Sequence, residues 1–131
     1  MADSRSRPMS PHLGIWKWGP HMLVSILHRV TGGALTVAGL AILVWWLMAI
    51  AQSGEAYGKF SAASTHWAGT VVLIGLTWAF FQHLLSGVRH LMMDSGLGFE
   101  IGANKRLAIV TVIGSLLLTA ALWAWILGRA A

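Results

Sequence analysis

The chain has 131 residues, 56% hydrophobic and only 10% charged, where an ordinary soluble domain carries about 25% charged residues. Its net charge of +5 is spread over Lys and Arg at the edges of apolar runs, which speaks for a membrane and against a nucleic-acid-binding stripe. It has no cysteine, and this excludes disulfides, thiolate-held iron–sulfur clusters and thioether-attached haem within the chain.

Residues 1–20 hold Arg5, Arg7, Lys17 and three prolines without an apolar core, so they do not read as a secretory signal. Trp16 and Trp18 flank Lys17, a pattern suited to the headgroup layer, and 1–19 is expected to be a cytoplasmic, interfacial segment. Pro20 suits a first helical turn, where its missing N–H costs nothing. A helix over about 20–51 is therefore expected, ending in the apolar run Val30 to Ala51. The stretch QSGEAYGKFSAASTH reads as a connection in which Glu55 and Lys59 cancel.

The second apolar run, Trp67 to Phe81, spans a bilayer only if its helix continues through HLLSGVRHLMM to about Leu91, because a span needs roughly 20 residues. No proline or turn cluster interrupts it, and the isolated Gly87 is tolerated in a membrane helix. The expected helix covers about 66–91. After the connection MMDSGLGFEIGANKR, a third helix is expected over about 105–127, around the run Leu107 to Leu127. The fold class is thus an all-α membrane protein, a single domain over 1–131 with three transmembrane helices. Of the nine Lys and Arg residues, only Lys59 and Arg129 lie on the side opposite the N-terminus and the second loop. That bias predicts a cytoplasmic N-terminus and a periplasmic C-terminus.

Polar residues interrupt this pattern in two places. His83, Gly87, His90 and Asp94 fall at i, i+4, i+7 and i+11, one stripe of a helix. His83 lies roughly 12 Å inside Leu91, at 1.5 Å per residue, and an ionisable group at that depth is a functional candidate. Its chemistry allows a neutral, hydrogen-bonded packing histidine, a haem ligand or a proton relay. His83 and His90 are separated by about 10.5 Å of helical rise, too far to share one iron from opposite faces. A second axial ligand would come from another helix or another chain, His28 being the only other candidate near that level. Gly87 would let a flat macrocycle approach the backbone, or would simply pack a neighbouring helix. The second place is SILHRVTGG, where Ser25 and Arg29 are i and i+4 neighbours and His28 borders them. Arg29 either snorkels to the interface or joins Ser25 in donating to a quinone carbonyl or a propionate.

Together RPMSPHL, SILHRVTG and HLLSGVRHLMMDSG resemble the cytochrome b556 membrane-anchor subunits of succinate dehydrogenase, respiratory complex II, and SPHL resembles their alphaproteobacterial and mitochondrial branch. The resemblance spans nearly the whole chain. It implies half of a haem-containing helical bundle, completed by a second small membrane-anchor subunit. It further implies an iron–sulfur subunit and a flavoprotein subunit that carry the clusters and FAD, with ubiquinone reduced near the cytoplasmic face of a bacterial inner membrane. By that resemblance His83 matches the axial ligand of a shared haem b, and Ser25 and Arg29 match quinone-site residues. His28 and Arg29 match the vicinity of the haem propionates, and Asp94 matches a residue of proton delivery. His90 lies nearby without an assigned role. The chain has no flavin fingerprint or cluster cysteine, so it is not catalytic alone. The alternative is a haem-free structural tether whose histidines only pack helices. A proton-conducting transporter subunit fits less well, because no ionisable residue stands between Leu107 and Leu127.

Overall fold

The structure is a computed structural model in which residues 18–130 are described. Its elements are α1 (Pro20–Ala34), a π-helical turn (Leu35–Gly39), α2 (Leu40–Gln52), α3 (Gly54–Thr65), α4 (Trp67–Asp94) and α5 (Ile101–Ala130), with no strand among the described residues. Three helices are long and apolar enough to cross a membrane: Pro20–Gln52, Trp67–Asp94 and Ile101–Arg129. At 1.5 Å per residue the shortest is roughly 42 Å long, beyond the ~30 Å of a hydrocarbon core. The expected interfacial segment lies outside the described residues apart from Trp18 and Gly19.

Pro20 stands in the first turn of α1, following Gly19 in extended conformation. The first span is not uniform. The π-helical turn at Leu35–Gly39 inserts an extra residue between α1 and α2, a feature common near functional sites. The connection read as a loop contains a further helix, α3. Ser53 caps it, its Oγ accepting from the Ala56 amide at 3.2 Å, and Glu55 and Lys59 pair at 2.8 Å across one turn. Charges that looked merely cancelling are thus i,i+4 helix partners, although so exposed a pair adds little. His66 caps α4 through Nδ1, which accepts from the Ala68 amide at 3.4 Å. Gly69 is required here, because a Cβ would collide with the Ala63 carbonyl at the end of α3.

The α4 helix runs three residues beyond Leu91 and closes with a Schellman turn. Leu97 N donates to Met92 O at 3.0 Å and Gly96 N to Met93 O at 2.9 Å. Gly96 takes φ +90, a left-handed conformation that glycine adopts without steric cost. Gly98 follows at φ +78, and α5 begins at Ile101. It starts before the apolar run because residues 102–106, with Asn104, Lys105 and Arg106, form its first turns.

Packing is inverted relative to a soluble domain. Among the described residues the buried apolar ones are only Val24, Ala49, Ala79 and Ala108, whereas Thr31, Gln82, Ser86, Arg89, Thr111, Ser115 and Thr119 are all buried. Large residues such as Trp45, Leu47, Ile50, Phe80, Leu117 and Trp125 face outward. An apolar exterior around small, polar helix contacts is the arrangement that lipid favours. This is a multi-pass membrane protein.

The central element is α4, which packs on α1 along one side and α5 along another. Toward α5, Ser115 Oγ donates to Gln82 Oε1 at 2.8 Å, and Gln82 Nε2 donates to Ser86 Oγ at 3.0 Å. Nearer the start of α4, Trp123 Nε1 donates to Thr77 Oγ1 at 3.2 Å. At its other end the buried Arg89 donates to Asn104 Oδ1. These bonds clip the two helices together and leave the other side of α4 for the histidines.

Candidate functional site

The site lies between α1 and α4. His83 from the middle of α4 and His28 from α1 stack face to face, their centroids 4.1 Å apart and their planes 5° from parallel. His90, two turns along α4, tilts against the other end of the same cluster, 5.2 Å from His28 and at 58°. His28 therefore bridges the two α4 histidines that helical rise keeps apart. A Cβ on Gly87 would touch His28 Cε1 at 3.8 Å. In this structure, then, the glycine one turn from His83 accommodates the His28 ring.

His83 is held by α1. Its Nδ1 lies 3.1 Å from the backbone oxygen of His28 and 3.5 Å from Thr31 Oγ1. A carbonyl oxygen only accepts, so Nδ1 must carry the ring proton and Nε2 keeps the basic lone pair. Nε2 makes no hydrogen bond among the described residues. A histidine whose second ring nitrogen is tied to a carbonyl is in the usual state of a metal-ligating imidazole. Among the described residues no three His, Cys, Asp or Glu side chains converge to enclose a metal ion. At this place the chain thus offers a single uncommitted imidazole nitrogen. His28 cannot be the opposite ligand in this arrangement. Axial nitrogens point at the iron in the planes of their rings, and two rings stacked 4.1 Å apart leave no room for a macrocycle between them. The buried Nδ1 of His28 has no partner among the described residues, so it remains available to an acceptor or donor brought by another group.

The other expected site residues are placed less tightly. Ser25 is half-buried, and Arg29, one turn later, is exposed. Asp94 is exposed at the last residue of α4. Because α1 and α4 run antiparallel with Gly32 beside His83 and Gly87 beside His28, Asp94 lies about one turn beyond the level of Ser25. Among the described residues no hydrogen bond or ion pair joins Ser25, Arg29 and Asp94. The structure brings His28, His83 and His90 together; it places the other three around the same end without joining them.

Two contacts on His83 come from residues that sequence reasoning passed over, Thr31 and Gly32. Thr31 is 2% exposed, and its hydroxyl donates to Leu27 O at 2.7 Å. A Cβ on Gly32 would lie 2.9 Å from His83 Cε1. The signal was present as the T-G that follows His28 at i+3 and i+4, on the face that His28 itself presents.

The sequence matches the family described as succinate dehydrogenase/fumarate reductase transmembrane subunit over residues 3–122. It is 38% identical over 120 residues to the succinate dehydrogenase cytochrome b556 subunit of Paracoccus denitrificans, covering 90% of this chain and 92% of that one. With the same subunit of Rickettsia felis the identity is 40% over 117 residues, 89% and 90% of the two chains. With the mitochondrial succinate dehydrogenase cytochrome b560 subunit of Sus scrofa it is 30% over 112 residues, 82% of this chain and 64% of that one.

Proposed function

The chain belongs to the succinate dehydrogenase/fumarate reductase transmembrane subunit family, and on that premise we propose that it is the haem b-binding membrane anchor of a succinate:quinone oxidoreductase. Its partners are a second small anchor subunit, an iron–sulfur subunit and a flavoprotein subunit that holds FAD. The observation that carries the haem assignment is the His83 imidazole, its Nδ1 tied to the His28 carbonyl at 3.1 Å and its Nε2 uncommitted. His83 would hold the haem iron through Nε2, with the second anchor subunit sharing the group. When bound, haem b supplies a one-electron centre inside the membrane.

The remaining residues serve ubiquinone, the substrate. Reduction of a quinone takes two electrons and two protons, and its head group needs donors at the carbonyls where negative charge develops. Ser25 offers a neutral donor and Arg29 a charged one, a turn apart at the end of α1. Arg29 and His28 would also meet the haem propionates, and the Nδ1 of His28, without a partner among the described residues, suits that role. Asp94, exposed at the end of α4, delivers protons from water. His90 extends the histidine cluster toward Asp94. The membrane is the bacterial inner membrane, with the N-terminus and the α4–α5 loop on the cytoplasmic side, as the basic residues direct.

The test is to purify the chain with the proteins that accompany it and record a dithionite-reduced minus oxidised spectrum beside a subunit mass list. The expected result is a low-spin b-type α-band in a four-subunit assembly. A complete assembly with stoichiometric flavin and no haem would overturn the assignment in favour of a structural tether.

A further inference from the structure

We infer that one turn of α1 is built as a cradle for the His83 imidazole, in which the His28 carbonyl and Thr31 set the ring's tautomer and Gly32 leaves the space the ring occupies. This rests on the reading of His83 as the axial ligand and assigns Thr31 and Gly32 as positioning residues.

The contacts come from residues i, i+3 and i+4 of α1, which share one face of the helix. The His28 oxygen takes the Nδ1 proton at 3.1 Å. It can do so while helical, because a carbonyl has two lone pairs. Thr31 Oγ1 stands 2.7 Å from Leu27 O and 3.2 Å from His28 O. A hydroxyl has a single proton, and the shorter contact claims it. The Thr31 lone pairs are then free to face Nδ1 at 3.5 Å. Thr31 therefore backs the carbonyl as a second, weaker acceptor, and both keep the proton on Nδ1. Such partners orient a ligating imidazole and raise its basicity.

Gly32 makes the close approach possible. A Cβ there would meet Cε1 at 2.9 Å and Nδ1 at 3.3 Å. The ring cannot give way easily, since its nitrogen is bonded to α1 and its face is stacked on His28. Gly33, the next residue, is exposed, and a Cβ on it would meet nothing within 4 Å. Two adjacent glycines of one helix thus stand in opposite environments, and the same alanine substitution separates the space for the ring from general helix propensity.

The experiment compares assembled complex carrying Gly32→Ala, Gly33→Ala, Thr31→Val or His83→Leu with the unaltered complex. Haem per flavin, the low-spin ferric electron paramagnetic resonance g-values and the haem midpoint potential are read in each. Loss of an outer partner typically costs a metal site 10–100-fold in affinity, so Gly32→Ala should lower haem retention at least ~10-fold or move the g-values of what remains, and Gly33→Ala should do neither. Thr31→Val should retain haem, with shifted g-values and a potential changed by about 30 mV, the equivalent of roughly a threefold change at 59 mV per tenfold for one electron. Equal haem content and g-values in Gly32→Ala and Gly33→Ala would overturn the cradle. Where Gly32→Ala fails to assemble, Thr31→Val decides, and unchanged g-values and potential would overturn it. An unaltered low-spin spectrum in His83→Leu is the separate outcome that removes the ligand reading itself.

Discussion

The α4 helix carries two polar stripes side by side, and the chain treats them differently. Gln82, Ser86 and Arg89 face α5; His83, Gly87 and His90, each one residue later, face α1. Toward α5 the Gln82 amide bonds both Ser86 and Ser115, and its side chain is fully buried. Toward α1 His83 stacks on His28 and His90 tilts against it, while among the described residues His83 Nε2 is uncommitted and His28 Nδ1 has no partner. A polar group that a membrane helix satisfies internally holds helices together. One left unsatisfied at the same depth has to meet something the chain does not contain, because an unpaired polar group in an apolar interior costs about 1–3 kcal/mol. The difference supports the proposal of a structural seam toward α5 and a ligand-binding seam toward α1. Arg89 and Trp78, on the same stripe as Gln82, mark the limit of the contrast: Arg89 Nε and Trp78 Nε1 lack partners among the described residues, even as the guanidinium holds Asn104.

The largest effects should come from the chemical side. Arg29→Leu removes a charged donor worth about 1.5–3 kcal/mol, so succinate–quinone reduction should fall roughly 10- to 100-fold. Succinate oxidation with an artificial acceptor that takes electrons upstream should survive. Ser25→Ala removes about 1 kcal/mol, roughly fivefold in the same assay. Parallel loss in both assays at normal flavin content would remove these residues from the quinone pocket.

On the structural side, Gln82→Leu deletes two interhelical or intrahelical bonds at once. Hydrogen bonds in a membrane interior average about 0.6 kcal/mol and reach about 1.7, so the complex should melt a few degrees lower while its haem spectrum is unchanged. A spectral shift as large as that of a histidine variant would erase the distinction between the seams. The smallest effect should be that of His90→Leu, whose ring touches His28 but not His83. Its α-band should move much less than that of a His83 variant; loss of low-spin haem would transfer the ligand role to His90.

Much of this was legible in the sequence, and the gaps have physical reasons. Three spans follow from apolar runs of bilayer length, and the histidine stripe follows from a spacing of i, i+4 and i+7. The Gln82 stripe was equally regular but carries no ionisable group apart from Arg89, which charge counting placed with the loop. Thr111, Ser115 and Thr119 repeat every four residues on α5, a small-polar stripe that marks a helix interface and is easily taken for ordinary membrane filler. The α3 helix is weak in propensity because it holds Gly54 and Gly58, and it stands on the Ser53 cap and the in-register Glu55–Lys59 pair. The approach of His83 to Gly32 joins residues 51 apart in the chain. Helical periodicity says which face each presents but not which faces meet.

The central claim is that this chain ligates haem through His83. It is tested most directly by the reduced-minus-oxidised spectrum of assembled complex bearing His83→Leu, with flavin and subunit content matched to the unaltered complex. Ligation through His83 predicts an absent or strongly altered low-spin α-band with a displaced midpoint potential. An α-band of unchanged position, intensity and potential would contradict it.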